Sequence, residues 1–140
     1  MGDTYFFKAQ LAWIVEKMKE WTDPSNRLPE DAIGRDRILT DVSLYWLTLS
    51  AGTAANLYYE LGHDSTTWMP KKRGTVPFGV AVFGGHDIAI RRFAERDQNL
   101  VRWTEFAKGG HFAAMEEPEL LIMDVRSFFK QILKKADMTP

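Results

Sequence analysis

Apolar residues near the start of the chain are spaced like one face of a helix. Between positions 8 and 21 they recur at intervals of three and four residues, and they are Leu11, Ile14, Val15 and Met18. This interval puts them on a single stripe, which predicts an amphipathic α-helix over the segment. Residues 23–34 contain two prolines together with a serine and an asparagine. We therefore expect a loop there.

A helical pattern resumes at Arg35 and continues through further apolar positions, which are Ile38, Leu39, Val42, Trp46 and Leu49. Gly52 is expected to end this second helix, because glycine is a poor helix former. Another helical stretch precedes Gly62, and residues 63–75 return to the composition of a loop. The part of the chain before Gly62 is thus expected to be helical.

The pattern changes after residue 75. Residues 76–83 form a short, continuous apolar run rich in β-branched and aromatic residues, which is typical of a buried parallel strand. The following segments predict a helix at 88–96, a strand at 100–106, a turn at Gly109 and Gly110, and a terminal amphipathic helix at 118–134. This alternation of strand and helix indicates an α/β fold with a parallel sheet.

Composition narrows the class of protein. The 140 residues are one domain's worth of chain, and 18 basic residues nearly balance 19 acidic ones, so no charge pattern predicts binding to nucleic acid or to an anionic membrane. There is no cysteine, and no apolar run approaches the roughly 18 residues of a membrane span. Residues 1–7 lack the pattern of a secretory signal, and we expect a cytoplasmic location.

Two residues with catalytic chemistry follow the two predicted strands. Asp87 comes after the first strand and His111 after the second, 24 positions later. Carboxyl ends of parallel strands carry the catalytic loops of α/β folds. An acid beside a histidine can orient the imidazole and stabilise its charged form while it accepts a proton. A purely structural role for a histidine near a turn is the alternative.

Several segments resemble epoxide hydrolases of the microsomal type, which are α/β-hydrolases. Residues 109–121 read GGHFAAMEEPELL and closely resemble the catalytic-histidine loop of that family. Residues 83–88 read FGGHDI and resemble its strand and acid, and residues 41–48 and 56–60 resemble part of its cap. With residues 12–21, the resemblance covers about positions 11–135.

The resemblance implies the fold, the reaction and the roles of three residues. Residues 1–75 would be a partial helical cap segment and linker, and 76–140 the C-terminal strands and helices of the α/β-hydrolase core. By the family's mechanism an aspartate opens a small apolar epoxide to an ester, which water then hydrolyses to a vicinal diol. His111 would activate that water, Asp87 would orient His111, and Tyr58 would hold the epoxide oxygen. No cofactor and no metal are implied.

In that family the nucleophilic aspartate lies on an elbow before the cap, and we find no such elbow in these 140 residues. We therefore expect the chain alone to be inactive, with a separate N-terminal half as its partner.

One alternative makes Asp87 the nucleophile, in a Gly-x-Asp-x-Ala elbow at 85–89. A second is a noncatalytic remnant or binding module that pairs with another copy. A third alternative is cleavage of an ester or a haloalkane, a reaction that does not need the hydroxyl group of Tyr58.

Glutamates 116 and 117 precede the last predicted helix, where acidic side chains complement the helix dipole. We expect them to cap that helix. His86 and His63 are expected to be surface residues.

Overall fold

The first part of the chain is helical, and strands alternate with helices after it, as the sequence pattern predicts. A computed structural model describes residues 2–66, 69, 72–85 and 88–136. Within these ranges the elements are α1 (Gly2–Trp21), α2 (Pro29–Ala32), α3 (Arg35–Leu47), α4 (Ala51–His63), β1 (Pro77–Phe83), α5 (Arg91–Asp97), β2 (Asn99–Phe106), α6 (Ala113–Glu116) and α7 (Pro118–Ala136). They form two compact units, the first comprising 1–20 and 27–70 and the second 21–26 and 71–140.

The first unit is helical and has a small apolar core. The apolar stripe of α1 meets side chains of α3 and of the turn before it, and the buried members are Ile14, Met18, Ile33, Ile38 and Val42. The buried Gln10 donates a side-chain hydrogen bond to the carbonyl oxygen of Val42 at 2.9 Å, which satisfies a polar group inside this core. The predicted amphipathic helix is confirmed, and it begins earlier than expected, at Gly2.

The boundary between α3 and α4 differs from the prediction. Gly52 lies inside α4, in its first turn, and does not end a helix. The chain instead turns at Leu49, whose φ of 54° lies in the left-handed region, so that the helical run of hydrogen bonds cannot continue. Gly62 also lies within α4. The expected loop at 23–34 contains the short helix α2.

The second unit contains the parallel strand pair. β1 and β2 are hydrogen-bonded in parallel and are joined through α5, as the alternating pattern predicts. The expectation of a fully buried strand is wrong for β1, because Phe83 is buried whereas Phe78 is 40% exposed. Parallel strands are buried when helices cover both faces, and within the described residues α7 is the helix that packs most against β1.

Side chains of α7 attach this helix to β2. The strand pair is irregular, because Phe78 pairs with Leu100 and Gly79 with Arg102, which leaves Val101 as an extra residue in β2. Such a bulge disrupts the ladder, and the side chain of Gln131 donates to the Val101 carbonyl oxygen at 2.9 Å. The buried Asp124 accepts hydrogen bonds from Arg102 Nε and from Thr104 Oγ1, both at 2.7 Å. The predicted terminal helix is confirmed and runs to Ala136.

The packing of α7 on β1 depends on the absence of a side chain at Gly79. A Cβ atom at this position would lie 2.7 Å from Cδ2 of Phe128. That distance is too short for two carbon atoms in contact. The aromatic ring of α7 therefore lies directly over the glycine.

We predict that Gly79→Ala lowers the free energy of unfolding by about 1–3 kcal/mol, because the Phe128 ring must move. The matched control is Gly52→Ala, since nothing lies within 4 Å of a Cβ at Gly52 in α4. The control should raise the free energy of unfolding by up to about 1 kcal/mol. Urea denaturation followed by circular dichroism measures both, and equal effects of the two substitutions would contradict the prediction.

Candidate active site

Both strands end in a phenylalanine, and the candidate site lies beyond these two residues. The rings of Phe83 and Phe106 stack with their centroids 4.8 Å apart. Gly84 and Gly85 follow β1, and Gly109 and Gly110 come three and four residues after β2. Because the strands are parallel, both loops leave the same edge of the pair, which is the edge where α/β folds carry their sites.

The loop before His111 requires glycine for conformation and for space. Gly109 has a φ of 89°, which disfavours residues with a side chain. A Cβ at the buried Gly110 would lie 2.6 Å from the carbonyl oxygen of Trp21. The two glycines therefore allow the loop to pack directly against the backbone at the end of α1 and of the residues that follow it.

The backbone of His111 is held while its imidazole stays accessible. Its amide donates a hydrogen bond to the carbonyl oxygen of Trp21 at 2.8 Å. The imidazole centroid lies 4.9 Å from the ring of Trp21 and 5.0 Å from that of Phe112. The residue as a whole is nevertheless exposed to solvent. A histidine in this arrangement has a defined position and can exchange protons with a bound molecule or water.

Two carboxylates hold the loop on either side of His111. Asp23 Oδ2 accepts a hydrogen bond from the Gly109 amide at 2.9 Å. The Asp23 amide in turn donates to Glu116 Oε2 at 2.7 Å, and Glu116 Oε1 accepts from the Phe112 amide at 3.2 Å. We call this connected pair the Asp23–Glu116 clamp. Glutamate 117 forms an ion pair with Lys108 at 2.8 Å.

The environment of Asp23 favours its ionised form. Hydrogen bonds from the side chain and the backbone amide of Ser25, and then from the Gly109 amide, lower the pKa of this carboxyl group. Hydrogen bonds to the charged form have this effect. Because the pKa of Asp23 is lower in the folded state than in the unfolded state, its ionisation stabilises the fold at pH values above the unfolded-state pKa. This stabilisation is lost as the pH falls through the folded-state pKa. Asp23 is therefore a carboxylate at neutral pH.

The sequence did not point to Trp21, Asp23 or Glu116 as site residues. Asp23 was assigned to a loop, and Glu116 was expected to cap the last helix. Glu116 instead binds the amide of Phe112, the residue that precedes α6, and the amide of Asp23. An aspartate before a proline marks a turn in any sequence, and nothing local shows that its second oxygen binds a residue 86 positions away.

The other two residues expected at the site are Asp87 and Tyr58. Asp87, with His86, lies outside the described residues, and its assignment as the acid stays a prediction. Gly85 is described, and a Cβ there would lie 2.7 Å from the Cα atom of Gly110. The chain after β1 thus passes beside the histidine loop.

Tyr58 lies on α4 in the first unit and is 56% exposed. Its neighbour Tyr59 stacks on His63 at 3.9 Å, and His63 is exposed, as expected for a surface residue. The role of Tyr58 at an active site stays a prediction.

Within the described residues, no group of three or more His, Asp or Glu side chains could hold a metal ion. In the same part of the chain, no helix is long and apolar enough to cross a membrane. Every buried side-chain nitrogen and oxygen there has a hydrogen-bond partner.

No family model matches the chain, but individual proteins do. A protein of Stigmatella aurantiaca named as a predicted epoxide hydrolase is 38% identical over 128 residues, which are 90% of this chain and 28% of that protein. Epoxide hydrolase 1 of Sus scrofa is 34% identical over 129 residues, with coverage of 84% and 28%.

Solved structures give the same relationship. The juvenile hormone epoxide hydrolase of the silkworm Bombyx mori matches with a TM-score of 0.73 and 30% identity, over 89% of this chain and 33% of that one. The epoxide hydrolase of Aspergillus niger matches with a TM-score of 0.63 and 36% identity, over 88% and 30%. The chain spans about 30% of the length of these proteins. By sequence and by fold, it is therefore related to the epoxide hydrolases of the α/β-hydrolase superfamily, and it corresponds to the C-terminal portion of their fold.

Proposed function

We propose that this chain supplies the water-activating half of an epoxide hydrolase active site, for the conversion of an epoxide and water to a vicinal diol. The observation that carries the proposal is the solvent-exposed residue His111 after the carboxyl end of β2, on a loop whose backbone is hydrogen-bonded on both sides. Similarity to epoxide hydrolases over about nine-tenths of the chain supports it further.

His111 is the proposed general base of the second half-reaction. Its imidazole takes a proton from water, and the resulting hydroxide attacks the carbonyl carbon of a covalent ester and releases the diol. Asp87 is the proposed acid that orients the imidazole and stabilises its charged form. The approach of Gly85 to Gly110 supports this pairing, because it brings the chain after β1 beside the histidine loop.

Tyr58 is the proposed donor to the epoxide oxygen in the first half-reaction. When a carboxylate attacks an epoxide carbon, the carbon–oxygen bond breaks and negative charge develops on that oxygen. A phenol can hydrogen-bond the oxygen and give it a proton. The exposure of Tyr58 on α4 supports the assignment, because a tyrosine packed in the core could not meet a substrate. By the same resemblance, residues 1–75 are proposed to be a partial helical cap segment and linker, and 76–140 the C-terminal strands and helices of the core.

The attacking carboxylate is proposed to come from the part of the fold that this chain does not span. The chain matches about 30% of the length of its relatives, and the family's first half-reaction needs a nucleophile before His111 can act. A noncatalytic module that pairs with a second copy is the rival hypothesis. Large exposed apolar side chains on α7 favour it, and they include Met123, Phe129 and Leu133.

We predict that the purified 140-residue chain forms no diol from styrene oxide above the level of its His111→Gln variant, because the attacking carboxylate is proposed to lie outside the part of the fold that this chain spans. Chromatography of the diol measures this, and sedimentation tests pairing at the same time. Histidine-dependent turnover would contradict the prediction. Peptide mapping of the ester by mass spectrometry would then show whether Asp87 is the nucleophile.

In a chimera where this chain replaces the matching segment of the Aspergillus niger enzyme, His111→Gln should accumulate the covalent ester. Glutamine cannot act as a general base, so ester hydrolysis should slow by roughly 10²- to 10⁴-fold while ester formation continues. Intact-protein mass spectrometry after mixing with styrene oxide detects the adduct. The matched control is His63→Gln, at an exposed histidine of α4, which should turn over normally. Normal turnover by His111→Gln would remove His111 from the mechanism.

In the same chimera, Tyr58→Phe should slow ester formation by roughly 10- to 100-fold, because one donor to the developing alkoxide is lost. Ester hydrolysis should be unaffected, which single-turnover kinetics can separate. Tyr59→Phe is the control, since Tyr59 stacks on His63. Equal rates of ester formation in the two variants would refute the role of Tyr58.

A further inference from the structure

We propose that Asp23 is a positioning residue for His111, acting with Glu116 through the Asp23–Glu116 clamp. The inference rests on the proposed function only in naming His111 as the base. Asp23 contacts the backbone of the histidine loop, and its proposed effect on the reaction is exerted through the location of the imidazole.

The hydrogen bonds of the clamp converge on the residues around His111. Asp23 Oδ2 binds the amide of Gly109, two positions before the histidine, at 2.9 Å. Glu116 Oε1 binds the amide of Phe112, the next position, at 3.2 Å. The His111 amide itself binds the carbonyl oxygen of Trp21. Three backbone amides in a stretch of four residues thus donate to Trp21 at the end of α1, to Asp23 and to Glu116.

The second oxygen of Asp23 sets this arrangement apart from an ordinary turn. Oδ1 accepts from the Ser25 amide at 2.9 Å, which is the local bond that an aspartate makes in a turn. Oδ2 instead binds Gly109, which is 86 positions away. The Asp23 amide binds Glu116, which is 93 positions away. A turn alone needs neither of these two bonds.

Charge and packing make the clamp suited to fix a position. Hydrogen bonds to an ionised acceptor are stronger than bonds between neutral groups, and Asp23 is ionised at neutral pH. The Trp21 ring, 4.9 Å from the imidazole, forms a wall on one side of it. Because a shift of about 1 Å in a catalytic group can cost 10²-fold in rate, loss of the clamp should affect the step that uses His111.

The first test measures amide hydrogen exchange in the 140-residue chain by NMR and does not depend on activity. Asp23→Ala should accelerate exchange of the Gly109 amide roughly tenfold, because a hydrogen bond to a charged acceptor is removed. Asp31→Ala is the matched control: Asp31 accepts a similar bond from the Leu28 amide at 3.0 Å, and its loss should accelerate exchange at Leu28 and leave Gly109 unchanged.

A second variant keeps the clamp testable if Asp23→Ala causes a general loss of structure. Glu116→Gln keeps one carbonyl oxygen and replaces the other acceptor by an amide nitrogen. Faster exchange at Asp23 or Phe112 is expected, with Gly109 still protected by Asp23. Unchanged protection of Gly109 in Asp23→Ala, or of both Asp23 and Phe112 in Glu116→Gln, would overturn the clamp.

The second test uses single-turnover kinetics in the Aspergillus niger chimera. Asp23→Ala should slow ester hydrolysis by roughly 10- to 100-fold and leave the rate of ester formation unchanged. A residue needed only for folding would lower the amount of active protein and leave both rate constants alone. If His111→Gln traps the ester but Asp23→Ala hydrolyses it at the normal rate, the positioning role fails and the proposed function stands. If His111→Gln traps no ester, the proposed function fails, and the exchange test alone decides whether the clamp exists.

Discussion

The backbone amide of Gly109 is buried in a loop, where no helix or strand supplies a hydrogen-bond acceptor. The side chain of Asp23 is its acceptor. Gly109 and Gly110 are buried and lie in neither a strand nor a helix. A buried amide without a partner is destabilising. Asp23 accepts from Gly109, and Glu116 accepts from both Asp23 and Phe112. These bonds attach the backbone on both sides of His111 to Asp23 and Glu116.

The loop that contains His111 extends from the end of the strand pair, and α7 packs against that pair and stabilises it. A two-stranded sheet is only marginally stable by itself. Here the ring of Phe128 in α7 lies over Gly79. The side chain of Gln131 donates a hydrogen bond to the carbonyl oxygen of the bulged Val101. Asp124 accepts hydrogen bonds from Arg102 and Thr104. These are specific polar and steric contacts more than broad apolar burial, which agrees with the partial exposure of Phe78. The same helix begins directly after Glu117, so that its placement also sets the end of the histidine loop.

Sequence patterns predicted the elements well where neighbouring residues decide the structure. The stripes of α1 and α7 were recognised because side chains three or four positions apart share a helix face. The strand β1 was recognised because a short, continuous apolar run rich in β-branched and aromatic residues is typical of a buried strand. Gly52 was misjudged, because glycine in the first turn of a helix is tolerated and the actual break comes from the backbone at Leu49. The burial of β1 was overestimated because burial depends on which helices cover the strand.

The sequence by itself determined the α/β character, the order of elements, the placement of His111 just after a strand, and the resemblance to epoxide hydrolases. It also singled out Asp87 and Tyr58 through that resemblance. Only the tertiary structure decided that Asp23 and Glu116 hold the histidine loop, because their partners are 86 and 93 positions away in the sequence. Local preferences act between residues a few positions apart. Which distant amide a carboxylate meets depends on how the strands and helices pack, and that packing brings Asp23 to Gly109.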